Sequence, residues 1–97
     1  MENKIHYLYV VECKDHSLYT GYTTNLERRI KQHNSGKGAK YTRARRPVIL
    51  RYYEEYPDAS SALKAEYAFK QKTRAQKIQY IQRYYPMRSF LETKGNF

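Results

Sequence analysis

At 97 residues, with 40% hydrophobic content, 12 Tyr and 3 Phe, the chain is long enough for one hydrophobic core and not for two, and its amphipathic rings can fill that core. Nineteen Lys and Arg against nine Asp and Glu give a formal charge of +10, which points to a polyanionic partner, nucleic acid first, ahead of anionic lipid. Cys13 is the only cysteine, which excludes an internal disulfide or a cysteine-based zinc site. No apolar run approaches the roughly 18 residues of a membrane span and the start lacks signal-peptide character, so a cytoplasmic protein with no membrane role is expected.

Ile5 to Glu12 and Leu18 to Tyr22 are apolar, β-branched and aromatic runs separated by polar Lys14, Asp15, His16 and Ser17, which predicts a β-hairpin. With a three-residue loop, Tyr9 pairs with Gly21 and Val11 with Tyr19, and Tyr7, Tyr9 and Tyr19 share a face. Thr24 and Glu27 have capping-box spacing, which predicts a helix from about Asn25 to Asn34 with Gly36 as its stop. Leu26, Ile30 and His33 recur along that helix, and Arg29 borders the same stripe. Lys37 to Arg46 reads as a basic loop with room for one helical turn. Val48 to Tyr56 reads as a third strand, ended by Pro57. Asp58, Ser60 or Ser61 can cap a helix running to about Lys72, and a further helix from about Arg74 to Tyr84 carries Ile78, Ile81 and Tyr85 on its apolar side. Thr93 to Phe97 reads as a fraying end. The order β-β-α-β-α-α describes an α+β fold, a three-stranded antiparallel sheet covered by helices.

Several polar residues fall on faces expected to pack. On a helical wheel Glu66 lies among Ala62, Ala65, Phe69 and Thr73, so its carboxylate needs compensation from an arginine, hydroxyls or a metal ion. A plain buried pair with Arg29 would serve as well. Arg29 by itself reads as an ion-paired residue with a packed stem, or as a planar fork for phosphate. His33 reads as a core-edge histidine or a proton carrier. Together with Tyr7, Tyr9 and Tyr19 the set suits single-metal phosphodiester hydrolysis, in which a carboxylate holds the ion, an arginine neutralises phosphate and a tyrosine oxygen handles water.

Tyr7-Leu8-Tyr9, followed by Tyr19-Thr20-Gly21, resembles the paired motifs of the GIY-YIG nuclease superfamily, and Arg29, His33 and Glu66 fall where that family has its arginine, its His or Tyr and its glutamate. The likeness runs over residues 4–83, leaving 84–97 as a C-terminal extension. Residues 41–48 further resemble the small stand-alone bacterial branch and the Slx-type catalytic domain. Tyr7 stands where many relatives have Gly, Thr20 where Ile or Val is usual, and Asn96 matches no family asparagine. The resemblance implies cleavage of DNA, ahead of RNA, with Mg²⁺ or Mn²⁺. In it Tyr9 activates water, Tyr19 supports it or contacts phosphate, Arg29 binds the scissile phosphate, Glu66 holds the metal and His33 is a secondary catalytic candidate. Tyr7 and Gly21 shape the site. Lys37, Lys40, Arg43, Arg45 and Arg46 are expected to contact phosphates, with Tyr41 available for stacking. A separate protein partner would supply specificity. The competing readings are a non-catalytic nucleic-acid-binding module of the same fold and a scaffold for an acidic protein.

Overall fold

The computed structural model describes residues 4–84 and 87–89. Strands β1 (His6–Glu12) and β2 (Leu18–Thr23) form the hairpin, followed by α1 (Leu26–Asn34), a short α2 (Lys40–Arg43), β3 (Ile49–Tyr56), α3 (Ala59–Lys70), α4 (Arg74–Tyr84) and β4 (Met87–Ser89). The sheet order is β2-β1-β3-β4. Its three long strands are antiparallel, as expected; β4, which falls in the C-terminal extension, adds a short parallel edge against β3. The expected fraying of 93–97 lies outside the described residues. Among the described residues no helix is long and apolar enough to cross a membrane.

The hairpin register is the expected one, with Tyr9 opposite Gly21 and Val11 opposite Tyr19. Cys13 N–H donates to Ser17 O at 2.8 Å, and His16 takes a positive φ of 69°, so three residues turn the chain with the last in the left-handed region. Asn25, not Thr24, caps α1: its side chain accepts from Arg28 N–H. Thr23 accepts from the Asn25 N–H instead, so the capping box does not form. Gly36, with φ 84°, follows the helix as its stop.

Because β1 is central, both of its faces are buried and its run is continuously apolar. Tyr9, Val11, Cys13 and Val48 form one core cluster, against which Leu26 and Ile30 of α1 pack. On the opposite face Leu8, Val10, Tyr52 and Tyr56 meet Ala62 and Phe69 of α3, with Tyr80, Ile81 and Tyr84 of α4 alongside. Thus α1 and α3 cover opposite faces of the sheet. A bulge between Val10 and Val11 in the β1–β3 ladder leaves Arg51 without a Cα partner, and its guanidinium turns to Glu12 at 2.7 Å. Beneath α3 the Glu54 carboxylate, 2% exposed, accepts from Tyr52, Tyr56 and Tyr80. Three hydroxyl donors thereby compensate a buried charge.

Candidate active site

The site begins at Tyr9, whose ring leans over Gly21 of the edge strand. A Cβ on Gly21 would stand 2.5 Å from the Tyr9 hydroxyl, so only glycine permits this approach. Arg29 and His33, on one flank of α1, reach the same hydroxyl. Arg29 Nε–H donates to Tyr9 Oη at 3.2 Å, and Tyr9 Oη is 2.7 Å from His33 Nε2. His33 is fully buried, with its Nδ1 2.7 Å from Thr42 Oγ1. The Thr42 hydroxyl donates to Ala39 O at 3.0 Å, which leaves its oxygen to accept from His33 Nδ1–H. The Nε2 atom is then an acceptor, and the Tyr9 hydroxyl donates to it. The bonds run in one direction, from Arg29 to Tyr9 to His33 to Thr42.

Burial drives the electrostatics of this chain. It pushes the Tyr9 hydroxyl up to about 12, opposed by the Arg29 hydrogen bond and charge and assisted by Tyr19 and Glu66. Burial, then the Arg29 cation, pulls His33 down to about 4. His33 is therefore neutral at physiological pH with a lone pair on Nε2. Arg29 also donates from Nη1 to Gln32 Oε1 at 3.0 Å, and Nη2 takes part in neither bond.

Tyr19 closes the aromatic wall, its centroid 6.4 Å from Tyr9 and 5.4 Å from His33. Behind it lies Tyr41, stacked at 5.8 Å, with the Arg45 guanidinium 4.1 Å from the Tyr41 ring centre. Arg45 in turn pairs with Asp15 at 3.1 Å. Tyr41 and Arg45, read from sequence as nucleic-acid contacts, are thus drawn into an internal stack that backs Tyr19. Arg46 is partly engaged as well, donating to Arg43 O and Asn34 O. Lys37, Lys40 and Arg43 stand exposed, and a cleft of about 440 Å³ is lined by Asn34, Arg43, Ala44, Arg46 and Pro47. Tyr7 lies next along β1, its ring edge-on to Tyr53 at 5.8 Å.

Glu66 sits apart from this chain. It lies on the flank of α3 rather than in the apolar seam of Ala62 and Phe69, with its side chain 17% exposed and Lys70 Nζ 3.3 Å away. It makes no pair with Arg29; its influence on Tyr9 is through charge. Tyr9 therefore touches Tyr19, Arg29 and His33, and Glu66 acts on its hydroxyl through charge. Four further residues complete the set. Thr42 orients His33; Gly38 passes so close that a Cβ would stand 2.4 Å from His33 Nδ1; Gln32 holds Arg29; and Lys70 holds Glu66. The spacings of Arg29–Gln32 and Glu66–Lys70 carry that signal in the sequence. Thr42, in the single turn of α2, and Gly38, just before it, lie in a basic segment whose spacing carries none.

Residues 5–79 match the family described as the GIY-YIG catalytic domain, and the chain belongs to that family. Its relatives are small bacterial proteins. A UPF0213 protein of Streptococcus sanguinis is 60% identical over 84% of this chain and 92% of its own length, and a UPF0213 protein of Bacillus cereus is 58% identical over 86% of each. Two solution NMR structures share the fold: a UPF0213 protein of Bacillus halodurans, with TM-score 0.54 and 50% identity over 80% of this chain and 83% of that one, and a protein of E. faecalis, with TM-score 0.59 and 55% identity over 86% and 90%.

Proposed function

We propose that the chain is a divalent-metal-dependent endonuclease that hydrolyses phosphodiester bonds of DNA. The observation that carries this reading is the directed chain from Arg29 through Tyr9 to His33. A tyrosine that donates to a neutral, proton-free imidazole nitrogen can take a proton from water while passing its own to Nε2. With Tyr9 near 12 and His33 near 4, the proton rests on Tyr9, and its transfer is coupled to attack of the water on phosphorus. Arg29 donates to the Tyr9 oxygen and so stabilises negative charge there, and its Nη2, which neither bond uses, binds phosphate in this reading. Tyr19 holds the ring wall, and Lys37, Lys40, Arg43 and Arg46 bind backbone phosphates.

The donor set fits a hard cation. Glu66 supplies carboxylate oxygen, and the described residues hold no cluster of three His, Cys, Asp or Glu, which suits Mg²⁺ or Mn²⁺ held by one carboxylate together with water and substrate phosphate, and does not suit zinc. Such an ion, held by Glu66, would supply Lewis-acid stabilisation of the phosphate. The second reading is a nucleic-acid-binding module without catalysis. The Lys70 pair on Glu66 favours it, because that cation already occupies the carboxylate.

Purified protein incubated with plasmid, single-stranded and branched DNA, and with RNA, plus Mg²⁺ or Mn²⁺ separates the two. Metal-dependent cleavage lost in both Glu66→Ala and Arg29→Ala is the expected result. Cleavage that survives in both variants overturns the site, and salt-sensitive binding without any cleavage favours the second reading.

A further inference from the structure

The outer surface of α3 carries a feature that the proposed chemistry does not use. Tyr67 is 70% exposed and Leu63 45% exposed, and among the described residues Tyr67 is the most exposed of the large apolar side chains. Of the other exposed large apolar residues, Tyr41 already carries Arg45 and Tyr19, and Ile49 lies at the start of β3. Among the described residues Tyr67 makes no hydrogen bond and no ring contact. Helical spacing makes its surroundings contiguous: Leu63 and Tyr67 are four apart, Glu66 and Lys70 are four apart, Leu63 precedes Glu66 by three and Tyr67 precedes Lys70 by three. One stripe of α3 therefore carries an apolar shelf, the proposed metal carboxylate and a cation side by side. Lys64, three before Tyr67, adds a second exposed cation.

We propose that Tyr67, flanked by Leu63, is a stacking platform for an unpaired nucleobase next to the phosphate that the cation at Glu66 would bind. The inference rests on the nucleic-acid reading of the same site, which it deepens by naming the substrate class: DNA with single-stranded character at the cleavage point, such as a fork, flap or gap. A base in a closed duplex is stacked on both faces by its neighbours and has no face to offer Tyr67, whereas an unpaired base does. Lys64 and Lys70 take the adjoining phosphates, so the shelf has the aromatic and cationic composition of single-strand-binding surfaces. An acidic protein partner would use the lysines as well, and titration with paired and unpaired DNA makes that partner an outcome of the test.

The chain contains no tryptophan, so Tyr67→Trp places one indole in the full-length protein without a competing signal. Titration with oligo(dT), a forked duplex and a blunt duplex in EDTA, with binding followed in parallel by anisotropy of labelled DNA, reads stacking directly. Indole quenching is expected with the single strand and the fork and not with the blunt duplex. Tyr67→Ala should weaken fork and single-strand binding about tenfold while leaving duplex affinity unchanged, and Tyr67→Phe should retain wild-type affinity. Bound DNA that leaves the indole spectrum unchanged, or a Tyr67→Ala loss equal for duplex and single strand, overturns the proposal and leaves the shelf to a protein partner. No cleavage enters these readouts. Quenching of the Tyr67→Trp indole by a protein whose wild type binds but never cuts sinks the nuclease reading alone; Glu66-dependent cutting by wild type without quenching in Tyr67→Trp sinks this inference alone.

Discussion

The Tyr9 hydroxyl stands 2.7 Å from His33 Nε2, and both groups are held in the protonation states that make Tyr9 the donor. His33 falls from an ordinary value of 6.5 to about 4, through burial and then the Arg29 cation. Between those values the unfolded histidine binds a proton that the folded one refuses, so this contribution to stability is full above pH 6.5 and is lost as pH falls toward 4. The span corresponds to about 3 kcal/mol. Urea unfolding at pH 7 and pH 4.5 should show a steeper loss for wild type than for His33→Phe. Equal slopes would mean that His33 is protonated in the fold. Cleavage should persist below pH 6.5, where a normal histidine would already have titrated.

Gly21 and Tyr9 form the tightest contact of the site. Gly21→Ala would put its methyl 2.5 Å from the Tyr9 oxygen. The ring cannot swing aside cheaply, because it is buried and its hydroxyl is tied to Arg29 and His33. The variant should remain folded, lose about 1–3 kcal/mol of stability, and lose cleavage far more than DNA affinity. Wild-type turnover in Gly21→Ala would show that the position of the hydroxyl is not critical.

The hairpin register was legible because period-two alternation and a polar turn leave one pairing that buries the right side chains. The start of α1 was misread by one residue, since Thr24 and Asn25 are both good caps and only the backbone decides between them. Glu66 was legible as a carboxylate on a mostly apolar helix. Its place on the flank, paired with Lys70, depends on how α3 rolls against β1 and β2, which a wheel does not fix. The β4 pairing and the bond between His33 and Thr42 are non-local contacts with no periodic signature. Composition likewise does not record that Tyr41 stacks on Tyr19 and carries Arg45 over its ring, while it stays 40% exposed.

Lys70 lies 3.3 Å from Glu66 and competes for the carboxylate with any cation bound there. Lys70→Met should lower the Mg²⁺ or Mn²⁺ concentration for half-maximal activity several-fold while weakening DNA binding modestly, because an exposed lysine contributes little to either by itself. Metal titrations of cleavage, or of Mn²⁺ binding by paramagnetic resonance, measure the shift. An unchanged metal requirement would place the ion elsewhere.

Thr20 stands beside Val10 under α3, 3% exposed, and among the described residues its hydroxyl has no hydrogen-bond partner. Threonine and valine are nearly isosteric, so Thr20→Val removes a buried polar atom without opening a cavity. A gain of about 1 kcal/mol is expected, visible as a higher urea midpoint at constant slope. A loss of stability would reveal a partner for the hydroxyl.

Glu54 is the polar centre of the other core and pins α4 to β3. Oε1 accepts from Tyr56, and Oε2 accepts from Tyr52 and Tyr80 at 2.5 and 2.6 Å. Burial and then the Glu54 hydrogen bond push the Tyr52 hydroxyl upward, so Tyr52 remains a donor to the carboxylate. Glu54→Gln keeps the shape but turns one acceptor into a donor facing hydroxyls, and should cost about 2–4 kcal/mol. Tyr80→Phe should cost about 1–2 kcal/mol by removing a single donor. In the Glu54→Gln background the cost of Tyr80→Phe should shrink, because the two changes break the same bond. Additive losses in that cycle would separate Tyr80 from the carboxylate. DNA cleavage per folded molecule should be unaffected throughout, since this node lies on the face of the sheet opposite Tyr9 and His33.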